Sequence, residues 1–297
     1  MKIKNESLLM RLFRKLGFDS TAWSLRRLYC PVKKGDLVLE VGSGGNPYFR
    51  ANVLCDAYLE TSERYFEPLI YDRPTILAFA ENLPFKDNAF DFVIASHVLE
   101  HSANPDRFLK EIQRVGKFGY IEVPDAFFER LCSYPMHRLE IMERNGELII
   151  YKKTAPIEDR YLNELFNKKV SAIFPKWISK HPFDFHLRFF WSKEQGGIKY
   201  QIINPNYKFD WRFPQEEKTS SQQISFRNKI KKMIISLLRN MFSQNKRNRQ
   251  INIMAYLKCI KCGSDVLERR ESTIHCRKCN HKYKIINKTL LISLTDL

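Results

Sequence analysis

The chain has 297 residues, of which 44% are hydrophobic, and a formal net charge of +17 at pH 7. That length accommodates one full α/β domain and a smaller second domain. No apolar run approaches the roughly 18 residues that a membrane-spanning helix needs, and residues 1–17 lack the apolar core of a secretory signal. Seven cysteines, an odd number, favour a reducing compartment. We therefore expect a cytoplasmic protein rather than a membrane-embedded or secreted one.

The positive charge is concentrated at the two ends of the chain. Residues 1–34 carry nine Lys or Arg and two acids, and residues 218–258 carry ten Lys or Arg and no acid. Residues 35–217 carry 23 bases and 27 acids. A mildly acidic middle fits poorly with an active face that grips a nucleic-acid backbone. The pattern favours peripheral attachment of the basic segments to an anionic surface, either a membrane or RNA.

The first structural pattern in chain order is an apolar run followed by a glycine-rich turn. Residues 37–41 form a continuous apolar run around Glu40, which predicts a central parallel strand buried on both faces. Gly42 and Gly44 allow the backbone to bend sharply and to approach a ligand closely. The charge of Glu40 favours a cofactor that carries an ammonium group over one that carries a pyrophosphate.

Further strands alternate with helical patterns along the next hundred residues. The alternation predicts βαβ units and a sheet that is parallel in this region. A helix is predicted at 105–115, and Asn145-Gly146 predicts a hairpin turn between 137–141 and 147–153. Residues 155–213 are rich in aromatic side chains and are expected to be globular. The predicted strands are 53–56, 75–79, 90–96 and 120–124.

Taken together, the ordered motifs resemble class I S-adenosylmethionine-dependent methyltransferases, most closely the group that includes the ubiquinone- and menaquinone-biosynthesis methyltransferases. The resemblance covers roughly residues 30–125, including Val98-Leu99-Glu100-His101. It implies a Rossmann-like, seven-stranded α/β sheet with S-adenosylmethionine across the strand ends. It also implies that the glycine turn faces the methionine part of the cofactor, that Asp56 holds the ribose, and that the segment after the third strand lines the adenine. The candidate cofactor-binding residues are Glu40, Gly42, Ser43, Gly44, Asp56, Ala80, Glu81 and Ser96.

Two features depart from the family pattern. Phe79 stands where the family usually has an acid. Asn46-Pro47 stands where a third glycine and the first helix would begin, so that Asp56 follows Gly42 by only 14 residues. These departures keep open the alternative of a catalytically silent, methyltransferase-like scaffold.

Methyl transfer from a sulfonium is an in-line displacement, in which positioning can lower the barrier by roughly 7–11 kcal/mol. A general base helps only when the acceptor is an alcohol. Such a base is expected at the mouth of the sheet, just past a strand end, where the candidates are His97 and Asp125. His97 and His101 are expected on a helix, and because no third ligand accompanies them, no metal is predicted there. Weaker base candidates are His137, His181 and His186.

Four of the cysteines form two C-x-x-C pairs separated by 13 residues. This spacing is typical of a closed, tetrahedral structural zinc site with Zn–S bonds of about 2.3 Å. Residues 256–295 resemble the zinc-ribbon family of small methyltransferase-activator subunits, which implies docking on a partner or on the chain's own methyltransferase domain. The predicted zinc ligands are Cys259, Cys262, Cys276 and Cys279.

Residues 226–242 have apolar side chains at helical spacing and predict an amphipathic helix with a basic opposite face. Three interpretations remain open: packing on its own domain, contact with an anionic membrane, or binding of nucleic acid. Residues 8–16 form a smaller helix of the same kind.

We therefore predict four segments: a basic helical arm (1–34), a methyltransferase domain (35–217), a basic amphipathic linker (218–255) and a zinc ribbon (256–297). The predicted activity is O-methylation of a small molecule or of a glycan or lipid-linked precursor. The main alternative is an RNA (tRNA or rRNA) methyltransferase in which the ribbon and the linker hold the RNA. The predicted localisation is cytoplasmic, with the basic helices in peripheral contact with the inner face of the membrane.

Overall fold

The computed structural model describes residues 6–64, 66–132, 134–155, 160–209, 226–287 and 291–293. The chain divides into two compact units. Unit 1 comprises Met1–Pro31, Ser96–Asp106 and Tyr120–Pro214, and unit 2 comprises Val32–Ala95, Arg107–Gly119 and Gln215–Leu297. Within the part of the chain that is described, no helix is long and apolar enough to cross a membrane.

Unit 2 is built on a parallel-rich sheet. Strand β1 pairs in parallel with β2 and with β4, and β2 pairs in parallel with β3. All four residues of β1 are buried, as expected for a strand covered on both faces. The predicted strands 53–56 and 90–96 and the helix 105–115 are confirmed with the same bounds, and the third strand ends two residues earlier. The bounds are β1 Val38–Val41, β2 Val53–Asp56, β3 Thr75–Leu77, β4 Phe90–Ser96, α3 Pro105–Val115 and β5 Gly116–Pro124.

The C-terminal segment adds strands to the edge of this sheet. The strand order in unit 2 is β10-β11-β12-β13-β3-β2-β1-β4, and β13 pairs in parallel with β3 from Leu291↔Thr75 to Ser293↔Leu77. The sheet is therefore larger than the expected seven strands, because the C-terminal strands continue it beyond β3. Their bounds are β10 Leu267–Arg270, β11 Thr273–Cys276, β12 Lys282–Asn287 and β13 Leu291–Ser293.

Unit 1 contains helices and a separate small sheet. Its three strands have the order β6-β7-β9, with β6 and β7 antiparallel. Asn145 and Gly146 join them with φ angles of 54° and 78°, which confirms the predicted two-residue hairpin turn. The bounds are α1 Leu8–Lys15, α2 Asp19–Leu25, α4 Ala126–Leu131, β6 Leu139–Arg144, β7 Glu147–Lys152, α5 Arg160–Lys180, β8 His186–Ser192 and β9 Tyr200–Ile202.

The basic segment of unit 2 forms two helices, α6 (Phe226–Phe242) and α7 (Asn245–Gln250). The predicted amphipathic helix is confirmed with the same bounds. At its end the chain packs on the strands of unit 2: buried Asn52 donates to Asn248 Oδ1 at 2.8 Å, and buried Arg73 donates to Ser243 Oγ at 3.1 Å. Residues 243–250, which follow the predicted helix, therefore pack on unit 2, and the three interpretations of the helix itself stay predictions.

Candidate functional site

The glycine turn after β1 has the backbone geometry that its sequence predicts. Gly42 and Gly44 have φ angles of 70° and 55°, a left-handed region that glycine occupies without strain. The N–H groups of Gly42 and Ser43 both donate to the carbonyl of Cys55, at 2.8 and 3.2 Å, which ties the turn to the end of β2. The buried Ser43 hydroxyl finds no hydrogen-bond partner among the described residues. A buried hydroxyl without a hydrogen-bond partner is unusual in a folded protein, and a ligand bound at this turn would supply one.

Two acidic side chains accept hydrogen bonds from the glycine turn and from the loop that follows it. Glu40 is only 2% exposed and accepts a hydrogen bond from Tyr48 N at 2.7 Å, so it orders the loop that follows the turn. Asp56, at the end of β2, accepts from Gly44 N at 2.8 Å. The structure thus brings Gly44 and Asp56 together, as the resemblance implies.

Arg64 is a neighbour of Asp56 that sequence reasoning missed. Its guanidinium donates to Asp56 Oδ1 at 3.1 Å and to the Glu67 carbonyl at 2.9 Å. A Cβ added at Gly44 would lie 3.3 Å from Arg64 Cδ, so the Arg64 stem covers this face of the turn. Seven residues separate Arg64 from Asp56, and no periodicity in that segment signals the contact.

The aromatic ring of Phe79 packs against the ring of Tyr58. Phe79, 45% exposed, meets Tyr58 edge to face with ring centroids 5.6 Å apart. Tyr58 N in turn donates to Asp56 Oδ1 at 3.1 Å. An apolar, partly exposed ring therefore lies close to Asp56 at the position where the family usually has an acid. Ala80 is buried and Glu81 is half-buried beside it in the chain.

Two further candidates, Ser96 and His97, lie in unit 1 beside the buried carboxylate of Glu122. Arg26 donates two hydrogen bonds to Glu122, from Nε at 2.8 Å and from Nη2 at 3.0 Å. Ser96 Oγ donates at 3.1 Å, and the Tyr120 hydroxyl also donates. Burial raises the pKa of Glu122, but Arg26 and His97 outweigh it and hold that pKa well below its usual range. Sequence reasoning missed this residue, although a charged residue inside the apolar run 120–123 was a usable signal.

His97 does not lie on a helix as expected. It has a left-handed backbone with φ 55° and precedes a 3-10 turn at Leu99–His101. Its two ring nitrogens face two carboxylates: Nε2 lies 3.3 Å from Glu122 Oε1, and Nδ1 lies 3.5 Å from Glu100 Oε1. Burial lowers the pKa of His97, but these two carboxylates raise that pKa to about 9. An imidazole that is already protonated at neutral pH is disfavoured as a general base.

Asp125 caps a helix. Its Oδ1 accepts from Phe128 N at 2.7 Å, at the N-terminus of α4, which satisfies one of the free N–H groups of that helix. Burial raises the pKa of Asp125. Asp125 was predicted as a base because it lies just past a strand. The same position is the start of α4, where its carboxylate caps the helix.

The weaker histidine candidates are placed as follows. His186 packs against Trp23 and His97, with ring centroids 4.8 and 5.4 Å away, and burial lowers the pKa of His186 to about 4. His137 pairs through Nδ1 with buried Glu129. His181 follows α5, where its N–H donates to Trp177 O at 2.9 Å.

Replacing Asp125 by Ala should destabilise the protein by about 1 kcal/mol, because the Phe128 N–H loses its acceptor. Asp125→Asn should retain the stability of the wild type, because an asparagine side chain also caps helices well. Thermal unfolding of the two variants measures these two stabilities. A methyl-transfer assay of Asp125→Asn tests separately whether the carboxylate acts as a base. Loss of activity in a normally stable Asp125→Asn protein would reinstate the carboxylate as a base.

The four predicted zinc ligands come together in unit 2. Cys259 Sγ lies 3.7 Å from Cys279 Sγ, Cys262 Sγ lies 3.6 Å from Cys276 Sγ, and all four sulfur atoms lie within 4.8 Å of one another. Sulfur atoms at the corners of a tetrahedron with Zn–S bonds of about 2.3 Å are about 3.8 Å apart. The cluster therefore has the dimensions of a four-thiolate metal site.

The cysteine-bearing segment docks on the same unit. Leu257 forms an antiparallel bridge with Phe85, and Lys86 N and Lys258 N donate to Tyr256 O and Pro84 O at 2.8 and 2.9 Å. The Tyr256 ring stacks on Phe90 at 6.1 Å. Together with the β13–β3 pairing, these contacts attach the segment to its own chain, one of the two docking modes that the resemblance implied.

Comparison with known protein families gives a match to one segment of the chain. Residues 54–120 match the sequence profile of a family described as the methyltransferase domain. The matched segment is less than a quarter of the chain, and it includes strands of the parallel-rich, Rossmann-like α/β sheet of unit 2.

The curated relatives come from Methanocaldococcus jannaschii. The uncharacterized protein MJ0638 is 34% identical over 113 residues, which is 37% of this chain and 48% of that protein. The uncharacterized protein MJ1123 is 48% identical over 44 residues, which is 15% of this chain and 22% of that protein. The chain thus matches about half of the length of the first relative and less of the second.

Solved structures of low similarity include a methyltransferase and a complex that contains a methyltransferase activator. One is a SAM-dependent methyltransferase from Thermotoga maritima, with a TM-score of 0.28, 22% identity, and coverage of 39% of this chain and 55% of that one. The other is a complex between the Haloferax volcanii Trm112 methyltransferase activator and a methyltransferase, with a TM-score of 0.29, 18% identity, and coverage of 44% and 76%.

Proposed function

We propose that the protein is an S-adenosylmethionine-dependent methyltransferase whose cofactor binds at the glycine turn of unit 2. The contact between Asp56 and the N–H of Gly44 carries this proposal, because it puts a carboxylate beside a left-handed glycine backbone at the carboxyl ends of parallel strands. When bound, the cofactor supplies the activated methyl group. The chain's own residues would hold it: Ser43 and the turn on the methionine side, Asp56 on the ribose side, and Tyr58 with Phe79 as an apolar surface.

The proposed acceptor is an oxygen atom of a small molecule or of a glycan or lipid-linked precursor. Helix α1 supports contact with a membrane that holds such a precursor, because it exposes Leu8, Leu9 and Leu12 at 52–77% beside basic residues. The alternative of an RNA acceptor has less support, because Arg247 in the basic segment donates to the carbonyls of Lys34, Gly35 and Asp36. Tight RNA binding that weakens steeply with salt would favour that alternative.

We further propose that the four cysteines hold a structural zinc ion. Four thiolates occupy every position of a tetrahedral zinc site, so no position remains for a substrate. Tyr283 supports the arrangement, since its hydroxyl lies 2.9 Å from Cys259 Sγ.

Calorimetric titration with S-adenosylhomocysteine tests the cofactor site. Wild-type protein is expected to bind with a Kd of about 1–100 μM, which is roughly −5 to −8 kcal/mol. Gly44→Arg should lose binding, because the arginine side chain fills the turn and the φ of 55° at this position is unfavourable for it. Gly35→Arg is the matched control, since a Cβ at Gly35 meets nothing within 4 Å, and it should bind normally. Absence of binding in all three proteins would favour the silent scaffold.

A further inference from the structure

Three side chains of unit 1 converge beside the network around Glu122. Glu100 and His101 end the 3-10 turn after β4, and His137 lies just before β6. The ligand atoms of these three residues all lie within 4.8 Å of one another. Arg138 N donates to Glu100 O at 2.7 Å, and the rings of His101 and His137 meet at 4.7 Å. The third ligand that the sequence near His101 lacks is therefore supplied by the loop before β6.

The Glu100 carboxylate gives an independent sign of a ligand. Its residue is 1% exposed, and its oxygens are met at ordinary hydrogen-bond length and geometry by no group that the structure describes, although the His97 ring pairs with one of them at longer range. The nearest cation is His97, whose Nδ1 lies 3.5 Å from Oε1, beyond the usual length of such a bond. A buried carboxylate is costly unless it is paired or bound to a metal.

Both imidazoles are oriented by other groups, as metal-ligating histidines usually are. His137 Nδ1 pairs with Glu129, which is 1% exposed and also accepts from Lys153 Nζ at 3.2 Å. Because this contact occupies Nδ1, Nε2 is the nitrogen of His137 that would bind a metal ion. The His101 ring hydrogen-bonds the backbone of Met136.

We propose that Glu100, His101 and His137 bind one divalent first-row transition metal ion through a carboxylate and two imidazoles. Two histidines and a carboxylate suit zinc, iron or cobalt, and they differ chemically from the four thiolates of unit 2. Three protein ligands leave a position for water or for an oxygen atom of an acceptor. The proposal does not depend on the methyltransferase activity.

Titration with Co²⁺ of protein that carries one equivalent of zinc per chain, which the four thiolates take first, tests this site through visible absorption. With zinc at the four cysteines, we expect one Co²⁺ ion to bind per chain. Its absorption spectrum should lack the charge-transfer band of a cobalt–thiolate bond. Glu100→Gln and His137→Asn should each weaken Co²⁺ binding about tenfold or more, since even changes in outer-shell partners cost 10–100-fold. Glu194→Gln, at an exposed position after β8, is the matched control and should bind Co²⁺ like the wild type.

X-ray absorption of the cobalt in the wild type keeps the test independent of how the variants fold. A shell of nitrogen and oxygen with imidazole scattering is expected. A zinc-loaded wild type that binds no Co²⁺, a sulfur shell, or binding that survives both substitutions would each overturn the proposal.

Discussion

Removing the proposed zinc ion from the four-cysteine cluster, or replacing Cys262 by Ser, should unfold residues 257–287 and free the edge of β3. The segment has few buried apolar side chains, and a structural zinc supplies about 10–16 kcal/mol of apparent binding energy in small zinc-dependent folds. Hydrogen-exchange mass spectrometry should show loss of protection in β10–β12 and in β3, which loses its parallel partner β13. Exposure of that strand edge should also promote aggregation.

Cys132→Ser is the matched control for the zinc experiment, because Cys132 follows α4 in unit 1, away from the cluster in sequence. It should bind zinc and exchange hydrogen like the wild type. Metal-free protein that keeps its protection in β10–β12 would show that packing, rather than metal, holds the segment together.

Replacing Arg26 by Leu should destabilise unit 1 by about 3–5 kcal/mol at neutral pH, because it leaves the charge of fully buried Glu122 without its main partner. Arg130→Leu is the control: Arg130 makes the same kind of pair with Glu140, but its side chain is 71% exposed. That exposed pair should contribute at most about 1 kcal/mol. Urea unfolding of the two variants measures both values, and equal effects would contradict a role for the buried pair.

The effect of Arg26→Leu should depend on pH in a defined direction. In the wild type the pKa of Glu122 is well below its usual 4.5, so its contribution to stability is complete above that pH and is lost as the pH falls further. Without Arg26 the pKa of Glu122 should rise, because burial then acts with less opposition. The difference in unfolding free energy between variant and wild type should therefore shrink as the pH falls from 7 to about 4.

Local patterns in the sequence were enough to predict several elements of both units. The apolar run at 37–41, the helical spacing at 105–115 and the pair Asn145-Gly146 each correspond to an observed strand, helix or turn. The two C-x-x-C pairs likewise predicted a cluster of four sulfur atoms. These predictions succeeded because side-chain periodicity and turn chemistry act over a few residues.

Tertiary structure alone decided the groups around the candidate catalytic residues. Glu122 is paired with Arg26, 96 residues earlier, and the pair of acids around His97 raises its pKa to about 9. His137 joins Glu100 and His101 although α3, β5 and α4 lie between them in the chain, and no local pattern connects the three residues.

The sequence by itself therefore determined the strands, the glycine turn and the cysteine pairs, since each depends on neighbours in the chain. The docking of β13 on β3 and the partners of Asp56, Glu122 and Glu100 were decided only by the folded chain. The physical reason is that a charge or a metal ligand responds to groups within a few ångströms in space. Folding brings those groups together from distant positions in the sequence.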